Sequence, residues 1–385
     1  MSPKHCMIAL RFLAWPYLVT NLVLAALPRT RRTALLRPPR VTDPFWGVAD
    51  TAEEDSMKAI VRDRYLSQEG AVHVEDIEVP HVKDGEVLVR VRAAAAKPWS
   101  WDTPAFMRSI GRIAARFHTP KVQVPGLDFA GEVEAVGRDV TRFEPGAAVF
   151  GSSSRALAEY VSVSADAVVL KPDKVSFVEA ATVAMLGSTA LLAVRRGQVT
   201  SEHRVLVVGA SGGVGVFAVQ LAKARGADVT GVCSTRNLDL VRSLGADHVI
   251  DYTREDFTRG GPRYDVILDM AGNRTLSDLR RALQPDGTLV MVGQAGIPTS
   301  EQSWFRALTR WLRAAVWSTF NEQSLVALMP TATRPDLLLA LTDSIEADAL
   351  VPVVTATYPL SEAPAAIELL EEGHGRGQVV IEFSV

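Results

Sequence analysis

The stretch Arg204-Val205-Leu206-Val207-Val208-Gly209-Ala210-Ser211-Gly212-Gly213-Val214-Gly215 decides the fold. Its apolar run, Val205 to Val208, predicts a buried strand, and the glycines after it predict a tight turn. Residues 216–225, with Phe217, Leu221 and Ala224 on one face, predict a helix. Strand, glycine turn and helix form the front half of a dinucleotide-binding unit. In such a unit the backbone of Ala210, Ser211, Gly212, Gly213, Val214 and Gly215 approaches a pyrophosphate, and the partial positive charge of the helix N-terminus meets the same anion. A second apolar run, Val229-Thr230-Gly231-Val232, begins one helix later, at the distance a βαβ unit requires. Ala210 stands where the usual fingerprint has its first glycine, a departure. A glycine turn that binds nothing is the competing reading; the second strand at the right spacing favours a nicotinamide cofactor and redox chemistry.

Composition narrows the class. A chain of 385 residues suggests roughly two to three domains and buries ample core. With 48% hydrophobic and 22% charged residues it reads as globular. A net charge of −3 gives no footprint for nucleic acid. Two cysteines, Cys6 and Cys233, build no disulfide framework and no four-thiolate zinc site, which fits a reducing compartment such as the cytoplasm.

The first 56 residues differ in kind. Residues 1–42 carry seven basic side chains and no acidic one, and residues 7–27 are mostly apolar, interrupted by Arg11, Pro16 and Asn21. A membrane anchor, a targeting segment and a non-essential extension compete here. The interruptions favour the extension, followed by an acidic linker over residues 50–55.

From Met57 the chain reads as one enzyme. Residues 57–183 predict short alternating strands separated by turns such as Lys83-Asp84-Gly85. Residues 184–330 contain strands at 204–208, 229–232, 248–250, 264–269 and 288–292 with helices between, the alternation of a parallel doubly wound sheet. Residues 300–330 interleave Trp304, Arg306, Arg310, Trp311, Trp317 and Phe320 and predict an amphipathic helix pair. Residues 331–385 return to strands, at 351–354 and 378–383, around a helix at 363–371.

The chain after Met57 resembles the medium-chain dehydrogenases/reductases of the zinc-free quinone oxidoreductase (zeta-crystallin-like) branch, and within it the reticulon-interacting NADPH oxidoreductases. Four segments carry the resemblance: Pro125-Gly126-Leu127-Asp128-Phe129-Ala130-Gly131, the Ala210–Gly215 turn with Gln220 and Lys223, Leu244-Gly245-Ala246-Asp247-His248-Val249-Ile250-Asp251-Tyr252, and Glu371-Glu372-Gly373-His374-Gly375-Arg376-Gly377. It implies an α/β fold in which a Rossmann domain, here 184–330, is inserted into a GroES-like (chaperonin-10-like) β-barrel domain, here 57–183 and 331–385. The cofactor then lies in the cleft between them, and a homodimer through the Rossmann sheet edge is the common assembly.

Zinc-dependent relatives place a Cys after the third barrel strand and a Gly-His-Glu motif after it. Here those regions read Ala95-Ala96-Lys97-Pro98-Trp99 and Gly126-Leu127-Asp128, so no metal is expected. NAD-preferring sites end the second strand with an acid, whereas this chain has Ser234, Thr235 and Arg236 there. Hydroxyls and a guanidinium suit a 2′-phosphate, and Tyr252 matches a position from which relatives contact it, so NADPH is expected. Thr189 and Gly293 are expected near the nicotinamide. Lys97 stands where many relatives have asparagine; it is the candidate proton or hydrogen-bond donor to a quinone, activated alkene or carbonyl, and a solvent-facing Lys97 without a role is the alternative. Two other classes stay open: an NADPH-binding protein with little turnover, and a zinc-type alcohol dehydrogenase.

Overall fold

The computed structural model describes residues 56–62, 72–96, 124, 126–292, 322–328, 334–371 and 378–383. Strands β1 (Ser56–Arg62) and β2 (Val72–Glu78) form an antiparallel pair. Backbone bonds from Ile60 N–H to Leu157 (2.9 Å) and from Glu159 N–H to Lys58 (3.0 Å) dock the pair onto a larger sheet. That sheet contains β3 (Glu86–Ala96), β4 (Asp128–Val136), β5 (Ala148–Ser152), β6 (Tyr160–Ser164) and β7 (Val168–Leu170), and two strands from the far end of the chain complete it.

The long β3 is the hub. It pairs with β4 along one edge, and along the other with β6 at its start and with the C-terminal strand at its end. The β3–β4 register shifts between Val91 and Ala93. An extra residue there bends the strand and reverses its alternation. Val87, Val89 and Val91 face the barrel core before the shift, and Ala94 and Ala96 face it afterwards. Ala93 is turned to the opposite face, into the core that covers the parallel sheet.

Two helices follow, α1 (Phe177–Ala180) and α2 (Ala184–Arg196). Ser176 and Glu179 cap α1 reciprocally, a capping box. No side chain at its own N-cap serves α2. Asp128, fully buried at the start of β4, accepts the Met185 N–H at 3.0 Å instead. A carboxylate against the first turn satisfies an orphan amide and complements the helix dipole, so it ties the barrel to α2.

Next come β8 (Arg204–Val208), α3 (Gly215–Ala224), β9 (Asp228–Cys233), α4 (Leu238–Ser243), β10 (His248–Asp251), β11 (Tyr264–Asp269), α5 (Leu276–Ala282), β12 (Leu283–Met291) and β13 (Ser324–Ala327). The six strands are parallel in the order β10-β9-β8-β11-β12-β13. Val205 and Val207 of β8 face one helical layer, and Leu206 and Val208 face the other. A continuous apolar run is what a parallel strand covered on both sides requires. α3 is buried from Gly215 through Ala222, so it is apolar nearly all round, and Ala224, expected on its apolar face, is exposed.

The chain closes with α6 (Pro335–Glu346), β14 (Val354–Pro359), α7 (Ala363–Glu371) and β15 (Gln378–Glu382). Leu337, Leu338, Leu341 and Ile345 of α6 join the core around α2 and α3, although α6 lies beyond the domain boundary expected at residue 330. β14 and β15 pair in parallel, and β15 lies antiparallel to β3.

Two expectations need correction. Ser324–Ala327 is the edge strand of the parallel sheet and not part of a helix pair; a short apolar run gives periodicity too little length to separate strand from helix. The strand expected at 351–354 begins only at Val354. The buried Gln220 amide takes both backbone groups of Val351, accepting its N–H at 2.8 Å and donating to its carbonyl at 3.0 Å, so Val351 has no ladder bond to offer.

The β8–α3 turn explains the alanine in the fingerprint. Gly209 adopts φ +83°, which an L side chain resists, while Ala210 keeps negative φ. The Ala210 methyl sits where a Cβ on Gly231 would lie only 3.1 Å away, so the glycine in β9 makes its space. A Cβ on Gly215 would fall 2.0 Å from the Gly209 carbonyl oxygen, so the start of α3 lies directly on the turn.

Two substitutions test these contacts by urea unfolding. Gly215→Ala forces α3 off the turn and lowers stability by about 1–3 kcal/mol; unchanged stability refutes the close approach. Asp128→Ala leaves the α2 amide without its acceptor and costs about 1–3 kcal/mol, and Asp128→Asn, which keeps an acceptor oxygen, recovers part of it.

Candidate cofactor site

At the carboxyl ends of β8, β9 and β11 a cavity of about 530 Å3 opens, with the β8–α3 turn as its floor. Strand order reverses between β8 and β11, and such a switch point is where open parallel sheets bind ligands. From the other side Ala96, Leu370 and Gln378 close it.

The floor is built from backbone. Gly209 and Ala210 spend their amides on the Val232 carbonyl at 3.1 and 3.0 Å, and Gly212 donates to the Gly209 carbonyl at 3.0 Å. Ala210, expected to contribute to the pyrophosphate site, is fully buried with its amide engaged. The first closed turn of α3 comes from the Val216 N–H to the Gly212 carbonyl at 3.0 Å. The amides of Gly213, Val214 and Gly215 stand ahead of it, where a helix offers no acceptor, and these residues line the cavity. A Cβ on Gly213 would come within 2.7 Å of the Leu186 side-chain terminus, which would have to move aside.

Polar side chains gather where β9 and β10 end. Ser211, Ser234, Arg236 and Tyr252, all expected in the site, line the cavity together. Asn237, which sequence reasoning missed, links them: its Nδ2 donates to Ser211 Oγ at 3.0 Å and to Ser234 Oγ at 3.3 Å. Each serine oxygen then acts as acceptor toward Asn237, which leaves its proton to be donated elsewhere. Arg236 is exposed and has no hydrogen-bond or ion-pair partner among the described residues. Tyr252 is 49% exposed at the cavity wall. Arg274 enters from beyond β11 with its guanidinium 5.3 Å from the Phe257 ring centroid, and both line the cavity.

The carboxylate nearest this end is Asp251, which closes β10 opposite Cys233. It accepts the hydroxyl of Thr235, and the backbone N–H and hydroxyl of Thr253 at 3.0 and 2.7 Å. The hydroxyls of Thr235 and Thr253, ahead of the Thr253 amide and the nearby Arg254, hold it below the usual carboxylate range. Thr235, expected to bind cofactor, is thereby engaged with Asp251 and does not line the cavity. Burial and, second, the charge of Asp251 push the Cys233 thiol up to about 11, so it stays protonated and is no nucleophile at neutral pH. Asp269, also fully buried, accepts the Gly272 N–H at 2.9 Å and shapes the loop after β11.

Thr189, expected at the nicotinamide, donates its hydroxyl to the Met185 carbonyl of its own helix at 2.7 Å and does not line the cavity. Lys97 and Gly293 lie outside the described residues, as does the apolar stretch 7–27. Among the described residues no helix is long and apolar enough to cross a membrane.

Residues 83–173 match the family model described as alcohol dehydrogenase GroES-like domain, and residues 244–381 match the one described as zinc-binding dehydrogenase. The mitochondrial NAD(P)H oxidoreductase RTN4IP1 of Mus musculus is 29% identical over 395 residues, spanning 91% of this chain and 94% of its own length. The 2-methylene-furan-3-one reductase of Solanum lycopersicum is 31% identical over 351 residues, spanning 86% of this chain and 82% of its own length. Among solved structures, the quinone oxidoreductase from Coxiella burnetii superposes with a TM-score of 0.70 at 28% identity, covering 85% of this chain and 99% of its own.

One of these descriptions names a metal, and the described residues assemble no site for it. A catalytic zinc needs three ligands from Cys, His or carboxylate. Among the described residues no three such side chains converge. β3 ends in Ala95 and Ala96, and the Asp128 carboxylate is engaged at α2. A nicotinamide dinucleotide, by contrast, fits the bare-backbone floor, the anion-seeking helix start and the polar rim. Fold, cavity and relatives agree: the chain belongs to the medium-chain dehydrogenase/reductase superfamily as an oxidoreductase of the quinone oxidoreductase type.

Proposed function

We propose that this protein is a zinc-independent reductase that uses NADPH in preference to NADH and delivers hydride to a quinone or an activated alkene or carbonyl. The observation that carries the cofactor preference is the guanidinium of Arg236, on the cavity wall beyond β9 and without a partner among the described residues. An acid at that place would repel a 2′-phosphate; an arginine with Ser234 beside it binds one. Asp251 does not reverse this sign, because Thr235 and Thr253 hold its carboxylate. The names of the relatives support the acceptor class: one is a quinone oxidoreductase, one reduces a methylene-furanone.

The bound cofactor supplies the hydride from its nicotinamide C4; the chain supplies placement. The first amides of α3 hold the pyrophosphate, Ser211 and Ser234 donate to anionic oxygens, and the apolar wall of Leu186, Ala96 and Leu370 keeps water from the transfer. Lys97 directly follows Ala96, which lines the cavity, and we assign to it the donor that meets charge on the acceptor oxygen.

Calorimetric titration tests the preference. The parent binds NADPH more tightly than NADH. Arg236→Ala weakens NADPH by about tenfold, the worth of a lost charge-assisted contact, and leaves NADH unchanged. Equal affinity of the parent for both cofactors overturns the reading. Loss of the 340 nm band with a panel of quinones and enones tests turnover. Lys97→Ala lowers kcat across that panel with NADPH affinity intact; unchanged turnover removes Lys97 from the mechanism.

A further inference from the structure

Gln378 is 3% exposed, lines the cofactor cavity, and has neither its Nε2 nor its Oε1 hydrogen-bonded among the described residues. A buried amide with both ends unpaired is expensive, and a protein retains one only where something else completes it. Strand geometry fixes where it points. Along β15 the side chains of Val379 and Ile381 fill the barrel core, while Val380 faces the core around α2. Alternation with period two puts Gln378 on the Val380 face, toward the cleft between barrel and parallel sheet. The backbone N–H of Gln378 donates to Thr355 Oγ1 at 3.1 Å, which pins the start of the strand and with it the root of the side chain.

We infer that the Gln378 side chain recognises the carboxamide of the nicotinamide ring. This rests on the proposed binding of a nicotinamide dinucleotide in the cavity and adds a specificity-determining residue to it. With the pyrophosphate on the β8–α3 turn and the adenosine phosphate among residues that follow β9 and β10, the other half of the dinucleotide extends away from those strands, toward the wall made by Ala96, Leu370 and Gln378. Among the described residues, that wall is apolar except for this amide. An acceptor carbonyl would use Nε2 and leave Oε1 unpaired in a dry site. A primary carboxamide offers one donor edge and one acceptor, the complement of glutamine, and pairs both atoms at once. Held this way, the ring loses its rotation about the glycosidic bond and presents one fixed face to the acceptor.

Binding measured by calorimetry, without turnover, tests this. The probes are NADPH, the reduced 3-acetylpyridine analogue of NADPH, which keeps the carbonyl but lacks the amide N–H, and adenosine 2′,5′-bisphosphate, which lacks the nicotinamide half. The parent is expected to bind the acetylpyridine analogue about tenfold more weakly than NADPH. Gln378→Met, close in volume and unable to pair, is expected to lose about tenfold for NADPH, to bind both reduced cofactors equally, and to bind adenosine 2′,5′-bisphosphate as the parent does. Equal binding of NADPH and the analogue by the parent overturns the inference, and this needs no variant to fold. Parent-level affinity of Gln378→Met for NADPH also overturns it. If the parent binds adenosine 2′,5′-bisphosphate and NADPH but shows no such discrimination, the cofactor reading stands and the role of Gln378 falls; if the parent binds none of the three, the cofactor reading itself falls.

Discussion

The contact between the Gly215 backbone and the Gly209 carbonyl sets the geometry on which the rest depends. With 2.0 Å between that oxygen and a would-be Cβ, α3 begins as close to the end of β8 as a polypeptide can be packed. Two consequences follow from one distance. The apolar circumference of α3 is pressed into the core shared with α2 and α6, so the turn is braced by a large buried cluster. The same closeness leaves the first amides of α3 without an acceptor among the described residues at the cavity floor, the arrangement that suits an anion. Stability and binding are therefore coupled here, and a side chain at residue 215 damages both.

Charge around the cavity is arranged by position more than by number. Asp251 and Arg236 both lie at the ends of neighbouring strands, and their opposite charges would cancel if both faced the ligand. Three hydrogen bonds from Thr235 and Thr253 hold the carboxylate among the loop hydroxyls, while Arg236 has no partner among the described residues. An exposed guanidinium contributes little absolute affinity because water and salt screen it. For the proposed NADPH preference, discrimination needs only a difference: a phosphate present in one cofactor and absent from the other would convert a weak contact into a preference.

Much of this was legible in the residues. The β8 run, the glycines and the second strand are local signals, and their meaning does not depend on distant chain. Ser211, Ser234 and Arg236 follow from that topology by counting from the turn, and Tyr252 from the resemblance to relatives. What stayed hidden depends on pairings that no local pattern records. Asn237 reads as an ordinary residue before a helix, and its link to Ser211 exists only because β9 lies beside β8. Thr235 and Ser234 are neighbours with similar side chains, yet one turns to Asp251 and the other to the cavity. The alternation of β3 reverses between Val91 and Ala93, and the run Ala93–Ala96 that follows is all alanine, so hydrophobicity cannot mark its phase. The late start of β14 is set by Gln220, 131 positions away from Val351.

Gln220 and Gln378 show why buried amides mark the decisive places in this fold. Both are nearly inaccessible, at 7% and 3% exposure, and both carry the same desolvation cost. Gln220 recovers it inside the protein: its amide closes on the backbone of Val351 and on the carbonyl of Val216, fixing how the chain leaves the helical layer. Gln378 recovers none of it among the described residues. An apolar side chain of similar size would serve packing at least as well at that wall, beside Ala96 and Leu370. The unpaired amide therefore makes sense as a group held ready for a ligand that carries a complementary donor and acceptor. Under the role inferred for Gln378, that cost would be returned when the cavity fills, and the site would be biased toward the ligand that pairs both atoms.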